Sequence, residues 1–137
     1  MWSALKAMPK LLKWICTHAL LCGFFLLLSV IPHDSFSING HHVSYAEWWS
    51  SGAGPFASFL GIVMPLSGYL LLSRSVYGRI AYLAALFVAL VLPYCYFGEF
   101  GMVLIGVLIV LLVSWYLFRK QSVIQYFSSN PSIERSA

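Results

Sequence analysis

Residues 13–34 read KWICTHALLCGFFLLLSVIPHD, with 20 uncharged residues between Lys13 and Asp34. A charge at the centre of a bilayer costs several kcal/mol, so apolar spans fall in the gaps between charges. A helix rises 1.5 Å per residue, so roughly 20 residues cross a hydrocarbon core of about 30 Å. The stretch therefore predicts a transmembrane helix over about 11–31. The same test picks out three more gaps: 26 uncharged residues between Glu47 and Arg74, 19 between Arg79 and Glu99, and 19 between Glu99 and Arg119. Further spans are expected at about 55–73, 80–97 and 101–118. They leave a loop at 32–54 and a tail at 119–137.

Composition agrees. Of the 137 residues, 61% are hydrophobic and 9% charged, and mean hydropathy is +0.85. Soluble domains carry about 25% charged residues, so a water-soluble globule, a disordered chain, a coiled coil and a nucleic-acid binder are all disfavoured. The expected fold class is an all-α integral membrane protein, a single domain over 1–137 whose four helices form an antiparallel bundle.

The eight basic residues set the orientation. Lys6, Lys10 and Lys13 precede span one, Arg74 and Arg79 join spans two and three, and Arg119, Lys120 and Arg135 follow span four. The opposite side carries Asp34, Glu47 and Glu99 and no Lys or Arg. The positive-inside rule then predicts a multi-pass protein of the cell inner membrane with both termini cytoplasmic. The net charge of +4 is explained by topology and anionic lipid head groups, without a nucleic-acid partner. Residues 1–30 are not expected to be a cleaved signal peptide, because the apolar run exceeds ~7–15 residues and Ser29-Val30-Ile31-Pro32 offers no small-x-small site.

In lipid, helices pack through small residues spaced by four. Ala57, Gly61, Pro65 and Gly68 mark one face of span two, and Ala81, Ala85 and Ala89 one face of span three. These two spans are expected to form a tight hairpin, with Ala19 and Gly23 available on span one. Span four offers mainly Gly106 and is expected to face more lipid. Pro65 and Pro93 are hinge candidates, since each removes a helical hydrogen bond. Trp14, Tyr77, Tyr82, Trp115 and Tyr116 near one edge, with Trp48, Trp49, Tyr94 and Tyr96 near the other, read as aromatic belts.

The loop at 32–54 carries the most specific signals. Phe36-Ser37-Ile38-Asn39-Gly40-His41-His42-Val43 alternates around an Asn-Gly pair and predicts a small β-hairpin. Ser44-Tyr45-Ala46-Glu47 reads as a capping box that opens a short helix ending near Gly52. A two-strand ribbon is marginal alone, so the loop should lean on another surface. Its residues Tyr45, Glu47, Trp48, Trp49, His41 and His42 are the partner-contact candidates.

Reaction chemistry is sparse. His33, Asp34, His41, His42 and Glu47 share one side but match no zinc template, and adjacent strand residues point to opposite faces. His18 and Cys22 share one face of span one, yet two ligands are too few for a metal. His18 is the intramembrane polar candidate. Cys16, Cys22 and Cys95 form no Cys-x-x-Cys pair. No carboxylate lies inside a span, and neither a phosphate loop nor a nucleophile or zincin motif is present. The sequence thus points to no enzyme, no cofactor and no metal. It points instead to an interaction protein, for example an immunity protein against a membrane-acting, pore-forming toxin, or an accessory subunit of a membrane complex. The partners implied are the lipid bilayer and another membrane protein or toxin, with a homo-oligomer compatible. A small oligomeric transporter or channel is the alternative.

Overall fold

The computed structural model describes residues 8–38 and 40–128. It is mostly helical, with four helices long and apolar enough to cross a membrane, at Lys10–Val30, Ala53–Leu72, Val76–Phe97 and Phe100–Arg119. Asn39 of the expected hairpin, Lys6 and the tail from 129, including Arg135, lie outside the described residues.

The first span is two helices, α1 (Lys10–Leu21) and α2 (Gly23–Val30), broken at Cys22. Glycine at 23 is a weak helix former, and its missing side chain leaves room for a ring on span two: a Cβ there would sit 3.3 Å from Pro65 Cγ. Strands β1 (Ser37–Ile38) and β2 (His41–His42) pair antiparallel, with Ser37 opposite His42 and Ile38 opposite His41. Gly40 supplies the positive φ of 81° that the two-residue connection needs. Helix α3 (Tyr45–Ser50) follows, and Gly52, at φ 86°, turns the chain into α4 (Ala53–Leu72).

Helix α5 (Val76–Leu90) and α6 (Leu92–Phe97) make the third span, broken at Val91. Pro93 explains the break, because it cannot donate to residue 89 and its ring crowds the preceding turn. Pro65, by contrast, sits inside an uninterrupted α4. Gly98 ends α6 at φ 73°, with the Glu99 amide donating to the Tyr94 carbonyl, a Schellman-type close. Helix α7 (Phe100–Arg119) is the fourth span, and α8 (Gln121–Ser128) folds back after Lys120.

The contacts between spans one and two run antiparallel: Ala19 meets Gly68, Gly23 meets Pro65 and Leu26 meets Gly61. Gly61 and Gly68 therefore serve the seam with span one, which corrects the expectation that this face meets span three. The close approach of spans two and three is made by Gly78, where a Cβ would lie 2.7 Å from the Leu70 and Leu71 backbone. Gly106 does the same for span four, its Cβ direction blocked by the Leu90 carbonyl. Gly106 and Leu117 are the buried residues of α7, so this span turns most of its surface outward as expected.

The core is densest toward the basic end, where Leu12, Leu71, Leu117 and Val123 are all fully buried. Helix α8 is amphipathic and closes that end with Val123, Tyr126 and Phe127. The Arg79 guanidinium lies between the Phe118 and Phe127 rings, 4.9 and 4.6 Å from their centroids, and donates to the Leu117 carbonyl at 3.4 Å. Arg74, at φ 56°, stacks 4.8 Å over Tyr126. The Ser75 amide donates to the Leu70 carbonyl across it at 3.0 Å, so a left-handed arginine closes α4 in the place a glycine usually takes.

Candidate functional site

The loop between the first two spans folds as predicted by its local signals and docks on the bundle. The Ser44 side chain accepts from the Glu47 amide at 3.3 Å, and Glu47 Oε2 accepts from the Ser44 amide at 2.7 Å, which completes the capping box. The Ser44 amide, and with it the Ser44 hydroxyl donating to the same Oε2 at 2.8 Å, hold the exposed Glu47 carboxyl below its ordinary value.

The docking point is Ser29, buried in α2. Its hydroxyl donates to the Gly54 carbonyl at 2.9 Å and accepts from the Trp48 indole at 3.0 Å. One atom thus ties α2, α3 and α4 together. Gly54 has no side chain to keep the indoles away: a Cβ there would lie 2.9 Å from Trp48 and 3.1 Å from Trp49. Tyr45 adds a hydroxyl bond to the Val30 carbonyl at 3.1 Å.

Around this point the rings stack. His33 lies 4.0 Å from Phe36, Phe36 lies 5.1 Å from Trp48 and 5.8 Å from Tyr45, and Tyr45 meets Trp49 edge-on at 6.2 Å. His33 is held by both nitrogens: Nε2 donates to the Leu28 carbonyl at 2.9 Å and Nδ1 accepts from the Ser35 amide at 3.1 Å. A carbonyl can only accept, so this pattern selects the Nε2–H tautomer. Between Ser29, His33, Phe36 and Trp48 the platform leaves a cavity of about 360 Å³.

Of the partner-contact candidates, Tyr45, Trp48 and Trp49 come together in this platform, with Glu47 exposed beside them. His41 and His42 are exposed on β2, and the ring stack includes neither. Sequence reasoning missed Ser29, His33 and Phe36. The alternating pattern that begins at Phe36 was the available signal for one of them. Nothing local marks Ser29.

On span one the exposed His18 meets a partner 64 residues away, with its Nδ1 3.3 Å from the Tyr82 hydroxyl and its Nε2 3.8 Å from Cys22 Sγ. Tyr82 is 3% exposed, so it belongs to the interior and not to an aromatic belt. Among the described residues no group of three or more His, Cys, Asp or Glu side chains could hold a metal ion.

Neither a protein-family model, nor a curated protein, nor a solved structure matches the chain.

Proposed function

We propose that the chain is a multi-pass inner-membrane protein that works by docking and not by catalysis, with the platform of α3 as its contact surface. The membrane placement rests on the four apolar helices. Orientation rests on charge: Lys10, Lys13, Arg74, Arg79, Arg119 and Lys120 all fall at one end of the spans, and Asp34, Glu47 and Glu99 at the other. The positive-inside rule puts the basic end, and with it both chain ends, in the cytoplasm.

The observation that carries the docking role is the single-atom anchor at Ser29. It holds an aromatic surface rigidly at the outer end, while Glu47, His41 and His42 stay exposed around it. Preordered aromatic surfaces lose little entropy on binding and supply the anchors of most interfaces. The cavity under Phe36 gives a partner side chain a place to insert. A membrane-acting, pore-forming toxin is the partner we favour, which makes the chain an immunity protein. An accessory role in a membrane complex uses the same surface.

The test is protection. Cells lacking the gene should become sensitive to a pore-forming toxin encoded beside it, and wild type should restore resistance where a triple His41→Ala, His42→Ala, Glu47→Ala variant does not. Resistance that persists after deletion refutes the reading. A Ser37→Cys variant labelled from outside intact cells by an impermeant thiol reagent checks orientation.

A further inference from the structure

A cleft of about 620 Å³ lies between α1, α4, α5 and α7, within the size range of small-molecule sites. Its walls are apolar, from residues such as Met64, Leu86 and Val113, with the Trp14 indole at its edge and three further polar side chains, His18, Cys22 and Tyr82. These positions fall within the spans Lys10–Val30, Ala53–Leu72, Val76–Phe97 and Phe100–Arg119. In a membrane the cleft opens to hydrocarbon, so whatever fills it must be lipid-soluble.

The three polar groups do not satisfy one another. A neutral imidazole donates from one nitrogen only. With the proton on Nε2, the Tyr82 hydroxyl donates to Nδ1 at 3.3 Å, and the Nε2–H faces only the Cys22 sulfur at 3.8 Å, a weak acceptor. With the proton on Nδ1, the ring donates to Tyr82, and the Tyr82 O–H has no acceptor left among the described residues. Either tautomer leaves one strong donor without an oxygen acceptor in an apolar cleft, where an unmade hydrogen bond is costly. The second donor candidate is the more telling, because the Tyr82 side chain is buried.

We propose that this cleft binds a lipid-soluble molecule that brings a carbonyl oxygen to the His18–Tyr82 pair and lays its apolar body along Met64, Leu86 and Val113. The carbonyl can come from a quinone-type ring or from the carboxyl end of a fatty acyl chain. The proposal rests on the membrane placement of the preceding section but not on the docking role.

The test uses the full chain in detergent micelles, titrated separately with a decyl-substituted benzoquinone and with a chain-brominated palmitic acid. Both quench indoles on contact, and Trp14 lines the cleft, so the quenching lost in Trp14→Phe reports occupancy. One probe should bind saturably. Tyr82→Phe and His18→Phe should each weaken it about 3- to 10-fold, the worth of one hydrogen bond, and Ala89→Phe, which fills the cleft and leaves the polar pair, should abolish binding. Which probe binds tells a ring carbonyl from an acyl one. Absence of saturable binding by both probes overturns the proposal, as does binding unchanged in the three variants. Should Tyr82→Phe or His18→Phe fail to fold, Ala89→Phe alone decides. Partition of the protein into the water phase of a detergent phase separation would refute the membrane placement, a failure distinct from a membrane protein that ignores both probes.

Discussion

Replacing Gly61 by alanine tests the seam between the first two spans. A Cβ at this position runs into the Leu26 backbone nitrogen and lies 2.8 Å from Leu26 Cβ. Carbon atoms rest at about 3.5–4.0 Å, so α2 and α4 must part by about 1 Å. Backbone blocks the way, and no side-chain rotation relieves it. If the seam holds as many atom contacts as one buried leucine, about 40–60 at about 0.1–0.2 kcal/mol each, a gap of this size forfeits about a quarter to a half of them. At the middle of these ranges the loss is roughly 2–4 kcal/mol, at the upper end of the usual cost of overpacking. Alanine returns up to ~1 kcal/mol in helix propensity, which leaves a net destabilisation of about 1–3 kcal/mol. Gly101 is the control, since it is helical and a Cβ there meets nothing within 4 Å; Gly101→Ala should be neutral or stabilising by at most ~1 kcal/mol. Reversible unfolding by SDS in mixed micelles, followed by far-UV circular dichroism, measures both. Gly61→Ala with the stability of wild type or better would refute the packing argument.

Four further outcomes follow from the same geometry. Ser29→Ala strands the Trp48 indole N–H and should cost about 1–3 kcal/mol, read as faster proteolysis of the 32–52 loop with little change in the spectrum of the helices. Ser44→Ala removes the cap of α3 and should cost about 1 kcal/mol locally, seen as faster amide exchange in Tyr45–Ser50. The Glu47 half of the box has a pH sign: its pKa is lowered by the folded state, so its contribution is full above the unfolded value of 4.5 and is lost as pH falls through the lower folded value. The protection of the α3 amides, corrected for the intrinsic pH dependence of exchange, should therefore fall on acidification below pH 4.5 in wild type and show no such step in Glu47→Gln. Finally, Phe127→Ala removes a buried ring from beneath Arg79 and should cost about 3 kcal/mol or more, releasing α8 so that trypsin cuts after Lys120; unchanged resistance at Lys120 would contradict the docked α8.

The spans were legible because charge is costly in hydrocarbon whatever the neighbours do. Even so, the third span begins at Val76, before Arg79, because two aromatic rings and a carbonyl receive the guanidinium. That arrangement depends on Phe118 and Phe127, which lie far along the chain in other helices. The capping box and hairpin were legible because their partners sit within a few positions of one another. The choice of seam was not, since Gly61 and Gly68 could have served either neighbour, and only three-dimensional packing gives them to span one. Nor could Tyr82 be assigned to the interior from its place near a helix end, because its partner His18 lies on another span. Ser29 shows the limit most plainly: a serine in an apolar run carries no mark of the indole and carbonyl it will join.

The anchor at Ser29 also makes the molecule mechanically uneven. A pull on the outer loop reaches α2 and the start of α4 through the Ser29 hydroxyl and the Tyr45–Val30 bond as well as through the chain itself, whereas among the described residues no hydrogen bond joins that loop to α5, α6 or α7.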